Sequence, residues 1–429
     1  MLIRFEVANF RSILDPVEFS MVAVDRDRPE ARPVPSLNES LLPVAAIYGP
    51  NASGKSNVVA AFDWLATAVR HSLRLWDEQI PVEPFAFAGG SELSSEFTVE
   101  SIISGVRYEY VVELDQHRVR YEGLFHYPEK KRRRVFEREG EDLKLQRGLG
   151  HLSGTRELLT PRTLALTIAR RFDEPLVSDF YRDLTRTQVR GLRSRNRQFP
   201  LSPGMSRPTR AWFDDSSERT QLPLPGLDDA LKSAQEDRAQ ALAMLRMADL
   251  GIDDVVIEGE HFAPAADGGR DPGSRRRIRL VHRTADERVP FELEDESEGT
   301  RTWYRLIGPV LTALRHGSLL LFDELDASLH PTLSAQLIGL FHDPKTNPEG
   351  AQLIFTSHDT SLLNHLNRDE VWLTEKTEKG TTRLGALAEF AGERVRKSQN
   401  LENAYLHGRF GALPDVDRTE VLRALGLIG

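Results

Sequence analysis

The sequence predicts a mixed α/β fold, and three stretches carry that expectation. Ala45-Ala46-Ile47-Tyr48 is a short apolar run that enters Gly49-Pro50-Asn51-Ala52-Ser53-Gly54-Lys55-Ser56, after which Val58, Val59, Phe62 and Leu65 recur at helical spacing. Ser318-Leu319-Leu320-Leu321-Phe322 is a second run and ends in Asp323-Glu324. Gln352-Leu353-Ile354-Phe355-Thr356 is a third and ends in Ser357-His358-Asp359. Short apolar runs without alternation, bounded by polar turns, are what strands of a parallel sheet covered on both faces look like.

The first stretch sets the chemistry. Gly49, Gly54, Lys55 and Ser56 complete the pattern G-x-x-x-x-G-K-[ST]. Glycines let a backbone wrap tightly, so that its N–H groups point inward at a polyphosphate. The helix starting near Lys55 adds its positive end. Gly49, Pro50, Asn51, Ala52, Ser53, Gly54, Lys55, Ser56 and Asn57 therefore form a candidate ATP cradle. Lys55 would reach the β- and γ-phosphates, and the Ser56 hydroxyl would bind Mg²⁺. The plain alternative is an ordinary glycine turn before a helix. The strand before the loop and the apolar helix after it favour the P-loop.

Composition narrows the class. A chain of 429 residues, 40% hydrophobic, is long enough for two or three domains and a large core. It has no cysteine, which excludes disulfides and thiolate metal sites and fits a reducing cytoplasm. Its start lacks the apolar segment of a secretory signal, and no run is long enough to span a membrane. The net charge of −9 does not describe a nucleic-acid coat, so basic clusters inside it stand out.

In order, residues 2–8 alternate as a half-buried strand and lead into Asn9-Phe10-Arg11-Ser12. Residues 24–40, charged and proline-rich, read as a loop, and the helix after the P-loop runs to about Leu75. Phe97–Ile103, Tyr108–Leu114 and Val119–Leu124 read as successive antiparallel strands, and Lys130 to Arg134 as a solvated turn or edge. From about Thr155 the period becomes helical, and a second amphipathic helix spans about Asp228 to Leu250. Between these helices lie Arg186, Arg190, Arg193, Arg195, Arg197, Arg207 and Arg210, a candidate phosphate-tracking surface or a solvated face. Strands return at Val255–Glu258 and Arg277–Val281. The expected division is an N-terminal lobe at 1–150, a helical insert at 151–250 and a C-terminal lobe at 251–429.

The second apolar run is a Walker B arrangement. Asp323 would hold Mg²⁺, and Glu324 would orient and deprotonate the attacking water. Two carboxylates at a buried strand end are costly unless a cation pairs with them. His358, at the end of the next core strand, is placed to sense the γ-phosphate. Ahead of Walker B, Glu296-Ser297-Glu298-Gly299-Thr300-Arg301 opens an apolar helix; Ser297 and Thr300 read as caps, and a capped start with an adjacent glycine is also an anion site.

With these residues in place the chain resembles the ABC-type ATPases of the RecF, SMC and OLD group, and more closely the AAA-family ATP-binding proteins of the RloA/AbiL type. Further matching blocks are Asn9 to Ser12, Ala248 to Ile252, Asp323 to Pro331, Arg368 to Trp372 and Tyr405 to Pro414. The resemblance implies a P-loop NTPase of ABC type, a head with a helical insertion. It adds Arg11, Ser297 and Gly299 to the nucleotide contacts, the last two completing the site of a second subunit in a homodimer or higher homo-oligomer. It also implies a bacterial defence ATPase encoded beside an effector, a nuclease of RloB-like or TOPRIM type. About 70 residues follow His358 and carry no second acidic cluster on a strand pattern, so the chain reads as the ATPase without the nuclease. The residue that couples nucleotide to the insert falls nearest Glu96-Phe97. A RecF-type DNA clamp is the rival reading. A GTP switch lacks its guanine-reading motif.

Overall fold

Two sheets and the helix between them position everything else. The computed structural model describes residues 1–192, 207–214, 227–248, 251–259, 276–390 and 401–407. Its strands are β1 Leu2–Ala8, β2 Val17–Ser20, β3 Arg32–Val34, β4 Glu39–Leu41, β5 Val44–Tyr48, β6 Ser95–Ile103, β7 Val106–Leu114, β8 Val119–Tyr127 and β9 Arg133–Glu139. They continue as β10 Asp142–Leu145, β11 Gln188–Arg190, β12 Ile252–Gly259, β13 Arg276–Arg283, β14 Arg288–Glu292, β15 Leu319–Phe322, β16 Gln352–Thr356, β17 Val371–Lys376 and β18 Thr382–Ala386. The helices are α1 Lys55–Leu75, α2 Thr155–Leu158, α3 Ala165–Ala169, α4 Pro175–Arg186, α5 Arg210–Phe213 and α6 Leu227–Ala248. After them come α7 Glu298–His316, α8 Leu325–Ser328, α9 Pro331–His342, α10 Leu387–Phe390 and α11 Leu401–Leu406.

The core sheet has the order β11-β15-β16-β5-β17-β18. Its first five strands are parallel, and β18 returns antiparallel to β17. The apolar runs alternate between two cores, as period-two side chains must. Ala45, Ile47, Leu319, Leu321 and Ile354 face α1 and the antiparallel sheet. Val44, Ala46, Tyr48, Leu320, Phe322, Leu353 and Phe355 face the core that holds α7 and α9. Burial on both faces is why these strands read as unbroken apolar runs.

The second sheet, β10-β9-β8-β7-β6-β1-β2, is antiparallel throughout. It covers α1, with Phe5 edge-on to Phe62 at 5.0 Å. Gln352 ties the two sheets: its amide accepts from Leu2 N at 2.5 Å and donates to the carbonyls of Leu2 and Leu42, each at 3.0 Å. The Lys130 to Arg134 run spans the turn from β8 into the start of β9, where Arg132 pairs with Glu109 and Arg134 with Glu137.

The segment expected as one helical insert divides between layers. Leu164, Leu166, Val177, Phe180 and Leu184, from α3, α4 and the turn before them, bury in the core of α1. Then β11 joins the core sheet beside β15. Trp212, Phe213, Ala241, Met244 and Leu245, from α5 and α6, pack instead on α7. The apolar residues of the early helices are buried against α1 and the antiparallel sheet. A strand of three residues has too little sequence to show a period, so the sequence gives no sign of β11; it gives none of β14 either. The loop expected at 24–40 contains the small β3–β4 pair. Arg193, Arg195 and Arg197 lie outside the described residues, as do Asp249, Leu250 and the tail from Gly408 onward. Among the described residues no helix is long and apolar enough to cross a membrane.

Candidate nucleotide site

The loop between β5 and α1 turns on two glycines in left-handed backbone, Gly49 at φ 151° and Gly54 at φ 108°. Ala52 joins them at φ 62°, which a non-glycine residue adopts only under constraint. Gly54 is the N-cap of α1 and offers no side chain, so the first N–H groups of α1 are uncapped by the residue before them. Lys55 is buried, and its Nζ donates to the carbonyls of Gly49 at 2.9 Å and Pro50 at 3.1 Å. Burial lowers its pKa from the ordinary 10.5 to about 8, while Asp323, Asp326 and Glu324 push it back up.

Parallel pairing brings those carboxylates to the same end of the sheet. β16 lies between β15 and β5, so the residues just after Phe322, Thr356 and Tyr48 share one edge. Asp323 Oδ1 accepts the Thr356 hydroxyl at 2.8 Å, and the same hydroxyl oxygen accepts Glu324 N–H at 2.7 Å. One threonine thus fixes both acidic residues. Burial raises the Asp323 pKa; hydrogen bonds from Thr356 and Ser56 oppose this, Glu324 adds to it, and Lys55 opposes it. Glu324 stands in left-handed backbone at φ 55°, ψ 58°, where the chain breaks from strand to α8. On its other side Asp323 N donates to Arg190 O at 2.8 Å, and Gly191, at φ 81°, lies so close to the Asp323 carbonyl that a Cβ there would collide. The sequence assigns neither Thr356 nor the Arg190-Gly191 turn a place in the site. The available signal is a polar residue closing each strand.

His358 backbone N–H donates to Asp326 Oδ1 at 3.2 Å. Burial and then Lys55 lower its imidazole pKa against three nearby carboxylates, which favours the neutral ring. Tyr48, just before the loop, donates its hydroxyl to the carbonyl of Asp359 at 3.0 Å and ties this loop to the P-loop strand.

The other sequence candidates have partners of their own. Asn57 Nδ2 donates to Ser12 Oγ at 2.6 Å, and Arg11 pairs with Glu83 at 3.0 Å. Asn51 and Ala52 are exposed at the loop's crest. Ser297 caps α7 by accepting Thr300 N–H at 3.1 Å, and Gly299 is the second residue of that helix. Glu96 and Phe97 are not at this site: both lie within β6, paired between β1 and β7 in the antiparallel sheet.

The residues fit a polyphosphate with a divalent cation. Lys55 is driven toward its neutral form and Asp323 toward its protonated form, so the protein alone disfavours both charges that a phosphate and a cation would satisfy. Among the described residues no three His, Asp or Glu converge as a free-standing metal site. Mg²⁺ in phosphate chemistry needs no such cage, since one carboxylate, one hydroxyl and the phosphate oxygens can share the ion.

A glycine loop between a core strand and its helix, with paired carboxylates closing a parallel strand nearby, defines a P-loop NTPase. The chain belongs to the family described as "AAA domain, putative AbiEii toxin, Type IV TA system", whose model matches residues 44–364, from the first residue of β5 to the turn after His358. No curated protein matches the sequence. Among solved structures the chain is similar to an SMC head bound to the C-terminal winged-helix domain of ScpA, at 15% identity and TM-score 0.44, over 90% of this chain and 98% of that one. It is also similar to the SMC head domain from Thermotoga maritima, at 14% identity and TM-score 0.39, over 90% and 98%. A third is the Pyrococcus furiosus Smc head with an extended coiled coil, bound to the C-terminal domain of ScpA, at 12% identity and TM-score 0.37, over 90% and 97%. None of these likenesses is close enough to assign a residue.

Proposed function

We propose that this chain binds and hydrolyses ATP as an ABC-type ATPase, closes as a homodimer on two nucleotides, and gates a separately encoded effector in bacterial anti-phage defence. One observation carries the reading. Lys55, Ser56, Asp323, Glu324 and His358 come from three segments far apart in sequence and meet at one edge of the parallel sheet.

Lys55 sits where it can hold the β- and γ-phosphates. Ser56 and Asp323 would share Mg²⁺, which when bound neutralises phosphate charge. Glu324, set apart from Asp323 by its left-handed backbone, is free to take a proton from water while Asp323 stays on the cation side. The neutral His358 can donate to a phosphate oxygen through one ring nitrogen. The dimer reading rests on Gly299, because nothing among the described residues asks for a glycine there: a Cβ would meet only Ser297 Oγ, at 3.8 Å. The effector reading draws on the toxin–antitoxin description of the family.

The test is kinetic. Lys55→Ala should abolish ATP binding. Glu324→Gln should bind ATP yet turn it over roughly 10²–10⁴-fold more slowly. Wild-type turnover by Glu324→Gln would remove the assignment. Tight ATP-dependent DNA binding by the protein alone would favour the clamp over the gate, and full protection of phage-challenged cells without a neighbouring gene would remove the gated-effector reading.

A further inference from the structure

Resting on the nucleotide reading, we propose that Thr374, Thr382 and Ser12 are positioning residues of the phosphate loop, and that the β17–β18 hairpin sets which way that loop's N–H groups point.

Proton bookkeeping gives the direction of each bond. A hydroxyl has one hydrogen to give. Thr374 Oγ1 donates its own to the Tyr48 carbonyl at 3.1 Å, so its 2.6 Å contact with Ser53 Oγ must be donated by Ser53. Thr382 Oγ1 donates to the Ser53 carbonyl at 2.8 Å, so its 2.7 Å contact with Ser12 Oγ must be donated by Ser12. Ser12 Oγ in turn accepts Asn57 Nδ2 at 2.6 Å. Two directed chains result. One ends on the carbonyl before Gly49, the other on the carbonyl before Gly54.

Those two carbonyls control the loop. In a planar trans peptide the C=O and the next N–H point in opposite directions. Holding the Tyr48 and Ser53 carbonyls against the hairpin therefore aims the N–H groups of Gly49 and Gly54 away from it, toward the open side of the loop. The glycines themselves face the same threonines. A Cβ on Gly54 would lie inside the Thr382 side chain, and one on Gly49 inside Thr374, with Ser53 Oγ at 2.9 Å. The hairpin packs on the loop with no room for a side chain between them. Ser53, Thr374 and Thr382 are all buried, so water cannot replace a lost hydroxyl. The N-terminal turn locks the hairpin from behind, since Thr382 N–H donates to the Ser12 carbonyl at 2.7 Å.

The experiment compares Thr374→Val and Thr382→Val, which keep the shape and lose the hydroxyl, with Thr374→Ser and Thr382→Ser, which keep the hydroxyl. ATP affinity is measured by calorimetry, and amide hydrogen exchange of residues 49–54 is measured without nucleotide. The valine variants should bind ATP about tenfold or more weakly and exchange faster at 49–54, with the serine variants close to wild type. Valine variants that match wild type in both readouts overturn the proposal. If the wild-type protein binds no ATP, the nucleotide reading fails, and the exchange data still decide whether the hairpin positions the loop. If the valine variants do not fold, Ser12→Ala, at a partly exposed position, tests the same chain. Faster exchange at 49–54 supports the proposal and unchanged exchange overturns it.

Discussion

The starts of α1 and α7 look alike in sequence, each a serine and a glycine at the opening of an apolar helix, yet their own chain asks different things of them. Gly54 is in left-handed backbone, pressed by Thr382, and leaves its helix without a side-chain cap. Gly299 is inside its helix with no positive φ, a Cβ there would make only an ordinary contact with Ser297 Oγ, and its helix is already capped by Ser297. The first glycine is forced from within. The second is unexplained by anything among the described residues, and close approach by a second subunit would give it a purpose. A glycine motif therefore carries two kinds of information, and the surrounding structure tells them apart.

The largest effect that tests this contrast is Gly54→Ala. A methyl group there combines backbone strain with overpacking against Thr382, and a loss of roughly 2–5 kcal/mol of stability is expected, together with loss of nucleotide binding. Thermal melting and calorimetry read both. A variant as stable as wild type would mean the loop is not held as described.

Gly299→Trp should differ in kind. Melting should move little, about 0.5 kcal/mol or less, because the position is open, and ATP binding should persist. Turnover should fall if another subunit's nucleotide must approach this helix. Mixing the variant with Lys55→Ala leaves one composite site intact, so partial turnover should return. No recovery in demonstrated mixed dimers would count against completion in trans.

A further test, on Lys55 itself, is a pH slope. Lys55 titrates near 8 in the folded protein against an ordinary 10.5, so between those values the unfolded chain binds more protons and stability rises with pH. Lys55→Met should lack that contribution. Denaturation at pH 8, 9 and 10 measures the difference between the two proteins, and parallel curves would show that Lys55 is not held in a dehydrated place.

Much of this is legible in the residues. Ala45 to Tyr48, Leu319 to Phe322 and Gln352 to Thr356 announce themselves because burial on both faces removes nearly every polar residue from a strand. Gly49 to Ser56 is legible because phosphate binding demands particular residue types at fixed spacing. The partners that no local pattern records are not legible. Thr356 is one threonine at the end of an apolar run. Thr374 and Thr382 lie far along the chain from the loop they hold and look like ordinary strand residues. The β11 strand is too short to have a period, and the early helices of the expected insert needed a tertiary surface to show where their apolar stripes would go.

The order of the core sheet has a consequence for how the protein is made. A ribosome completes residues 49–56 early, but the threonines that shape them are at 374 and 382, and the carboxylates opposite are at 323 and 324. At about 5–20 residues per second, roughly 15–60 seconds separate the appearance of the loop from the appearance of its support. During that interval the antiparallel strands β6 to β10 can pair locally, whereas β5 has neither parallel neighbour. The nascent chain cannot have the phosphate loop in its final shape until nearly all of the core sheet has been synthesised.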